Sequence, residues 1–485
     1  HPNNKEFSPD AIFRLAELYF EKYDDEFQVA MKDWKDGYKR WEEEGKKGAP
    51  PAEPTKRFEQ TIALYRRLIA EYPDYRLVDG AYYLLGYTLR AQGNTEEGIA
   101  TWLTLVDRFP KSRFFPEVWF RIGDQYFDEE KWDQSIAAFL HVAPMRESEY
   151  YDKALYKLAW TYYLVSRYDE SVQRFFELLD FSYANRDKVS GESGSVLEEE
   201  SIQYVAISFG DDAWKRPEWT TLVKGKSIDA PDAEVAVDYV GHARDTFKRT
   251  GEQKPFERDV MARLGNNLFK QSKHAQAVLA LSYAIELDPL HRDAPKLQDM
   301  VVQAWVRERQ FDKANAARDV LVASYGKGTP WAKRHGNDSE ALNAAETFAR
   351  TNLYSAALYY HQQASEYYGQ EKQEVALQYF KAASGAYRKY LERYPHDKNA
   401  YELSYYLAET YYYSLRFDDA VAAYEAVRDS PAGTRYRGEA GLNAVYAYEK
   451  IIEQAVQTGK LEKREIFAGK RDPNVKPEAI PELRQ

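Results

Sequence analysis

The stretch YYDKALYKLAWTYYLVSRYDES, residues 150–171, decides the fold of this chain. Its first half has apolar side chains at positions i, i+3, i+4 and i+7, which predicts an amphipathic helix: Leu155, Leu158, Ala159 and Tyr162. A short break at Ser166 and Arg167 is followed by a second helical pattern with Ser171, Phe175 and Leu178. The segment is therefore predicted to form a helical hairpin.

The same hairpin recurs along the chain, with three successive copies spaced 37 and 36 residues apart. Small residues stand at one position of the first helices, where two helices would cross too closely for a large side chain: Gly86, Gly123, Ala159 and Gly265. Prolines follow the second helices, since proline cannot continue a helix: Pro73, Pro110, Pro289 and Pro395. With its weaker copies, the pattern predicts an all-α chain of about nine hairpins and a final helix.

These positions resemble the tetratricopeptide repeat, with its large–Leu–Gly/Ala–Tyr first helix, its Ala–aromatic–Ala second helix and its closing proline. The resemblance implies a tetratricopeptide-type α-solenoid, a right-handed superhelix of helical hairpins. The predicted domains are an N-terminal hairpin with a charged arm and a Pro/Gly linker, two repeat arrays and a Pro- and charge-rich tail: residues 1–57, 58–250, 251–459 and 460–485. The first array is predicted to carry loop insertions at 182–198 and 210–232, and Ser201–Phe209 is expected to pair with Val235–Thr250.

A second stripe of aromatic residues lies beside the buried stripe of the first helices. Ten rings are predicted to line the concave face and to bind protein: Tyr83, Tyr87, Phe120, Phe127, Tyr156, Trp160, Tyr163, Phe269, Tyr405 and Tyr412. Two interpretations stay open. The rings either pack against the first helix of the next hairpin, with tyrosine hydroxyls in water, or form a groove that grips a segment of another protein. Trp214 and Trp219, in the second insertion, are predicted either to cap the adjacent hairpin or to contact a partner.

Composition excludes several classes of function. At 485 residues, the chain exceeds the roughly 250–300 residues of a single hydrophobic core, and its apolar runs are too short to cross a bilayer. The net charge of −11, without a basic stripe, argues against nucleic acid as a partner. The absence of cysteine excludes disulfides and thiolate chemistry. Because the chain begins His1-Pro2, we expect a mature or trimmed product whose targeting segment has been removed.

The sequence contains no recognisable catalytic pattern. None of the eight histidines has a second histidine at i+4, as helical zinc sites require. The segment YGKGT, residues 325–329, lacks the spacing of a phosphate-binding loop and follows no predicted strand. We therefore predict a protein that is not an enzyme, with no cofactor, no metal and no small-molecule substrate.

Within the repeat superfamily, the segments AEYPDYRLVDGAYYLLGYTL (70–89) and DRFPKSRFFPEVWFRIGDQYFDEEKWDQSIAAF (107–139) resemble the bacterial envelope branch, where a Tyr/Phe-Pro-x-Ser pair joins hairpins. That likeness covers residues 8–290 and 380–430. The segments FRLAELYFEKYDDEFQVAM (13–31) and YYDKALYKLAWTYYLVSRYDESVQRFFELLDFS (150–182) are similar to the tetratricopeptide lipoproteins of the adventurous gliding machinery of myxobacteria and relatives.

This resemblance implies a non-catalytic scaffold of the bacterial cell envelope, a periplasmic component of a motility-like complex that binds other envelope proteins or peptide segments. It also implies outer-membrane anchoring of the full-length protein through a lipid that this cysteine-free chain does not carry. Two alternatives stay open. One is an assembly factor that binds client segments of outer-membrane proteins or of peptidoglycan enzymes, and the other is the regulatory repeat region of a larger enzyme.

Overall fold

The computed structural model describes residues 7–186, 192–214, 217–224 and 234–461. Over these ranges the chain is almost entirely helical and divides into two compact units. Unit 1 comprises His1–Val237 and Thr250–Phe256, and unit 2 comprises Asp238–Arg249 and Glu257–Gln485. The predicted all-α, tetratricopeptide-type solenoid is confirmed, because helical hairpins stack side by side within each unit.

In the described residues of unit 1, the helices form four hairpins and one further helix, and two strands form a ribbon. Its helices are α1 (Ser8–Glu43), α2 (Glu59–Glu71), α3 (Val78–Ala91), α4 (Thr95–Arg108), α5 (Phe115–Asp128), α6 (Trp132–Val142), α7 (Tyr151–Leu164), α8 (Tyr168–Ala184) and α9 (Glu192–Gly210). Strands β1 (Thr220–Lys224) and β2 (Glu234–Val237) pair antiparallel after a 3-10 turn at Pro217–Trp219. Helices α1 to α8 pair in chain order, and α9 packs on α7 and α8.

Unit 2 has the same plan with less regular helix lengths. Its helices are α10 (Tyr239–Arg249), α11 (Glu257–Lys270), α12 (His274–Leu287), α13 (Ala294–Arg307), α14 (Phe311–Tyr325), α15 (Pro330–Arg334), α16 (Ser339–Gly369), α17 (Gln373–Arg393), α18 (Ala400–Tyr413), α19 (Phe417–Asp429) and α20 (Arg437–Gln457). The hairpins are α11–α12, α13–α14, α16–α17 and α18–α19, and α20 packs on α19. No described helix has the length and apolar character needed to cross a membrane.

Each regular hairpin reverses direction through the same turn. The second residue after the first helix is left-handed. Its own N–H and that of the following residue close the helix end, as Gly93 and Asn94 do by donating to the carbonyls of Arg90 (2.9 Å) and Leu89 (2.8 Å). The left-handed positions of the successive turns are Gly93, Glu130, Ser166, Ser272, Arg309, Glu371 and Leu415. Only one of these seven residues is glycine. The packing of the hairpin, and not the flexibility of glycine, therefore imposes the left-handed conformation.

Where a first helix has a small crossing residue, that residue faces a large side chain sixteen positions later in the second helix, as at Gly86 and Gly265. A Cβ atom at Gly86 would lie 2.4 Å from the Trp102 indole, and one at Gly265 would lie 2.6 Å from Leu281. The Trp102 and Leu281 side chains are fully buried, so they have no room to withdraw. The predicted close crossing of the two helices is therefore present, and glycine or alanine is required there by space.

The charged arm predicted near the N-terminus is the second half of α1, and the Pro/Gly linker folds back along it. The Trp34 indole N–H donates to the carbonyl of Pro51 (3.0 Å), and that of Trp41 donates to the carbonyl of Gly48 (3.1 Å). Lys56 forms an ion pair with Asp24 at 3.0 Å nearer the base of the arm. The linker is thus fastened to the helix by hydrogen bonds that span its length.

Three local expectations differ from the structure. The loop predicted at 182–198 includes the end of α8 and the start of α9, because the run LEEES (197–201) favours helix more strongly than its Gly/Ser neighbours oppose it. The insertion at 210–232 contains β1, whose run TTLVK is rich in β-branched residues. Ser201–Phe209 and the helical part of Val235–Thr250 fall in different units, so they do not form a hairpin within either unit.

Candidate protein-binding face

The ten predicted ring positions occupy three fixed places relative to the small crossing residue of their helix. Three residues before it stand Tyr83, Phe120, Tyr156 and Tyr405. One residue after it stand Tyr87 and Trp160, and four residues after it stand Phe127, Tyr163, Phe269 and Tyr412. All ten are half-buried except Tyr87, which is 38% exposed. The seven in unit 1 lie on three successive first helices, α3, α5 and α7, and are called the aromatic row below.

Two tyrosines of the aromatic row reach across to the helix that follows their own hairpin. The Tyr83 hydroxyl donates to Glu117 of α5 at 2.6 Å, and the Tyr156 hydroxyl donates to Glu200 of α9 at 2.6 Å. Burial and the hydrogen bond to the carboxylate raise the pKa of both phenols, so each remains a neutral donor near neutral pH. These hydroxyls therefore join neighbouring hairpins and are not wholly in water.

Phe120 and Tyr405 also contact the helix region that follows their own hairpin, through ring–ring packing and not through a hydrogen bond. The Phe120 ring lies 5.4 Å from that of Tyr150, which precedes α7. The Tyr405 ring stacks on that of Tyr436, at the start of α20, with centroids 4.4 Å apart. The position three residues before the crossing residue thus packs hairpin against hairpin, as the first interpretation of the rings expects.

Trp160 and Tyr163 form the densest part of the row. Their rings stack on each other with centroids 5.5 Å apart, and both contact Tyr204 of α9, at 4.1 and 5.8 Å. Both rings are nevertheless only half-buried. A stacked, partly open Trp–Tyr pair offers a large, rigid apolar contact area at low entropic cost to a partner.

Tyr87 and Phe127 face cations from the neighbouring first helix. The Arg121 guanidinium lies 5.7 Å from the Tyr87 ring, and the Lys157 ammonium lies 4.4 Å from the Phe127 ring. Both cations are also ion-paired within the row, Arg121 with Glu117 at 2.7 Å and Lys157 with Asp124 at 2.7 Å. The face therefore combines rings with mutually paired charges.

The three predicted rings of unit 2 do not continue such a row. Phe269 packs near His274, with ring centroids 5.3 Å apart, and Tyr412 packs on Phe417 at 5.4 Å, each within its own hairpin. Unit 2 also has a solvent-open cavity of about 530 Å³ between α14, α16 and α17, which sequence reasoning missed. Its lining is Asp319, Val322, Ala323, Leu353, Lys389, Glu392 and Arg393.

The two tryptophans of the insertion have different surroundings. Trp214 is buried and stacks on Phe209 of α9 with centroids 5.4 Å apart, and its ring lies 5.6 Å from that of Tyr168 in α8. Trp219 is half-buried beside β1. Trp214 therefore packs as a cap against α8 and α9, which is one of the two roles considered for it.

The structure adds residues that the sequence patterns did not single out. Glu117, Glu200 and Tyr204 complete the row, yet each lies 34 to 44 residues from the ring it contacts. No sequence signal connects such distant positions without the register of the hairpins. Among the described residues, no three His, Asp or Glu side chains converge as metal ligands would.

Comparison with known proteins agrees with the repeat pattern. The family model described as Tetratricopeptide repeat matches residues 10–75 and 80–112, which cover most of α1 to α4 and the linkers between them. The chain therefore carries tetratricopeptide repeats in unit 1, and the later hairpins reuse the same crossing and turn. No curated protein matches the sequence.

Several solved structures are similar at low identity. A tetratricopeptide repeat protein from Parabacteroides merdae ATCC 43184 is 11% identical, with 67% of this chain and 98% of that chain covered and a TM-score of 0.25. Naa15/Naa10 bound to HypK-THB is 13% identical, with 95% and 69% covered and a TM-score of 0.28. The apo quorum sensor NprR from B. thuringiensis is 13% identical, with 84% and 99% covered and a TM-score of 0.23. With TM-scores this low, these likenesses support no conclusion about partners.

Proposed function

We propose that this chain, a tetratricopeptide repeat protein, is a non-catalytic scaffold that binds other proteins through the aromatic row of unit 1. The observation that carries the proposal is the stacked Trp160–Tyr163 pair, which packs on α9 and yet is only half-buried. Its rings supply anchors of the kind that contribute about 2 kcal/mol or more each at protein interfaces. Packing between hairpins and binding of a partner are thus compatible roles for the same row.

The chemistry of the row indicates which segments it would accept. Because Arg121 and Lys157 are already paired with acids inside the row, a ligand gains little from charge alone. The matching partner is an extended or helical protein segment with aromatic or aliphatic side chains. Its binding should depend weakly on salt, in contrast to capture of a charged terminus.

The cellular setting is a further part of the proposal. The resemblance of residues 8–290 to the envelope branch supports a periplasmic component of a motility-like complex, anchored to the outer membrane in the full-length protein. The partners would then be other envelope proteins. The assembly factor and the regulatory region of an enzyme are the competing interpretations. The experiment below distinguishes the scaffold from the assembly factor.

Affinity purification of the tagged protein from crosslinked source cells, followed by mass spectrometry, tests this proposal. A small fixed set of envelope proteins is the expected result. A broad range of outer-membrane or peptidoglycan-enzyme clients would favour the assembly factor, and cytosolic partners alone would contradict the envelope setting.

The double substitution Trp160→Ala with Tyr163→Ala tests the row directly. We expect the retained partners to fall at least tenfold, since two anchors are lost. The matched control is Leu103→Ala with Leu140→Ala, which removes two exposed leucines from the second helices α4 and α6. Full retention by a Trp160/Tyr163 variant with a native circular dichroism spectrum would contradict the proposed binding face.

A further inference from the structure

The last described helix, α20, leaves an apolar stripe uncovered. Leu442, Val445 and Tyr446 stand at i, i+3 and i+4 and are 53%, 52% and 46% exposed. The opposite face of α20 is buried against α19 through small residues such as Ala440 and Ala444. Earlier first helices are flanked by the next hairpin, whereas no described helix follows α20. Contiguous exposed apolar side chains of this kind usually mark a surface that another segment covers.

The stripe is bordered mainly by acids. Glu439 precedes it, and Glu449 and Glu453 follow it on the exposed side of α20. Lys450, on the same helix, is already paired with Glu453 at 2.7 Å. Arg437 lies at the beginning of the helix, where its guanidinium is 3.4 Å from the carbonyl of Ser430. A segment that covers the stripe should therefore carry apolar side chains between basic ones.

The chain leaves α20 through the same turn that reverses the hairpins. Gly459 is left-handed, with φ 73°, and its N–H donates to the carbonyl of Val456 at 3.1 Å. The N–H of Lys460 donates to the carbonyl of Ala455 at 2.8 Å, as that of Asn94 does to Leu89. In the hairpins this turn sends the chain back antiparallel to the preceding helix. Through Leu461, the described chain therefore has the geometry of a hairpin turn.

The next residues have the composition that the stripe requires. The sequence KREIFAGKR, residues 463–471, places Ile466 and Phe467 between two basic pairs and contains a single acid. These residues lie outside the described ranges, so their sequence alone enters here. Val445 is about 18 Å along the helix from Gln457, and six extended residues span about 20 Å. Phe467, six residues after Leu461, can therefore reach the level of Val445.

We propose that residues 463–471 dock on the α20 stripe of the same chain. Ile466 and Phe467 cover Leu442, Val445 and Tyr446, and the flanking basic side chains face Glu439, Glu449 and Glu453. The segment would then close the exposed end of unit 2 against a second copy of the chain or another protein. This inference does not depend on the aromatic row of unit 1.

A single introduced thiol can report on the stripe, because the chain has no cysteine of its own. The experiment compares the rate at which an aromatic disulfide reagent labels Val445→Cys in the full-length chain, with and without Ile466→Asp and Phe467→Asp. We expect at least tenfold slower labelling when the tail is intact. A second variant, with Lys463, Arg464, Lys470 and Arg471 all changed to Glu, should also accelerate labelling.

The matched control is Val320→Cys on α14, where the native valine is 49% exposed. Its labelling rate should be the same with the intact and the substituted tail. Equal rates at Val445→Cys with both tails would overturn the proposal. So would protection that grows with protein concentration and ignores the tail substitutions, because a second copy would then be the occupant.

Discussion

The hairpins of unit 1 and unit 2 differ at the position three residues before the crossing residue. In the three successive hairpins of unit 1 that begin with α3, α5 and α7, it holds a ring: Tyr83, Phe120 and Tyr156. In unit 2 it holds, in chain order, Ala262, Asp299, His361 and Tyr405. The backbone plan is shared, yet unit 1 gains a continuous aromatic row and unit 2 does not.

The most polar hairpin of unit 2, α13–α14, shows why the plan tolerates this change. The Asp299 carboxylate is buried and accepts a hydrogen bond from the side-chain amide of Asn352 on α16, at 2.6 Å. At the crossing, Val302 takes the place of the small residue, and the buried Arg318 stands where unit 1 has Trp102. Arg318 donates to Asn315 at 2.6 Å. Asp299 thus finds its hydrogen-bond partner on a neighbouring helix and Arg318 finds one within its own helix, so both polar groups are accommodated in the core.

The largest effect is expected from adding a side chain at Gly86, where α3 and α4 of unit 1 cross closely. Gly86→Val should destabilise unit 1 by about 4 kcal/mol. Its Cβ atom would clash with the fully buried Trp102 ring, and relief of the clash requires the two packed helices to move apart. The measurement is urea unfolding with hydrogen exchange of α3 and α4. Gly385→Ala in α17, with nothing within 4 Å of the added Cβ, is the control and should stabilise by roughly 0.5–1 kcal/mol. A Gly86→Val protein as stable as the wild type would refute the steric requirement.

The next effect is a pH dependence that unit 2 acquires with His361. Burial lowers the pKa of this imidazole from 6.5 to about 4, and its Nδ1 lies 3.0 Å from the Tyr387 hydroxyl. Because the unfolded chain binds the proton more readily, stability is complete above pH 6.5 and falls by about 3 kcal/mol as pH drops towards 4. Below pH 4 this contribution changes no further.

Unfolding of the wild type and of His361→Gln between pH 7 and pH 4 measures this dependence. The variant should lose the part of the acid destabilisation due to His361, whereas the parts due to His141 and His291, whose pKa burial also lowers, should remain. His396→Gln, at an exposed position, should keep the whole acid destabilisation. An unchanged pH profile in His361→Gln would assign the dependence to other groups.

The smallest expected effect concerns Arg318 at the crossing of α13 and α14. Two substitutions distinguish the contribution of its side-chain volume from that of its charged guanidinium. Arg318→Ala should cost about 2 kcal/mol, since it leaves a void and removes the donor to Asn315. Arg318→Leu, which introduces the residue found at Leu281 in the preceding hairpin, should cost less than about 1.5 kcal/mol. Thermal unfolding followed at 222 nm measures both variants. Equal losses would show that the guanidinium, and not the filled volume, stabilises this hairpin.

Much of the fold could be predicted because its signals are local. The period of the apolar stripe identifies helices, and small residues such as Gly86 and Gly123 identify the close crossings. The same offsets located all ten candidate rings, although their binding of a partner stays a prediction. The strand β1 escaped detection because a five-residue run flanked by loop-like sequence carries little periodic signal.

By itself, then, the sequence determined the hairpin, its repeat and which residues share a face, since helical geometry converts spacing directly into position. Only the tertiary structure decided which side chains meet between hairpins. The Tyr83–Glu117 and Asp299–Asn352 hydrogen bonds join residues 34 and 53 positions apart. The folding of the linker onto the arm through Trp34 and Pro51 is of the same kind. Such pairings depend on the register at which whole helices pack, and that register reflects the combined fit of many side chains, so no single spacing in the sequence encodes it.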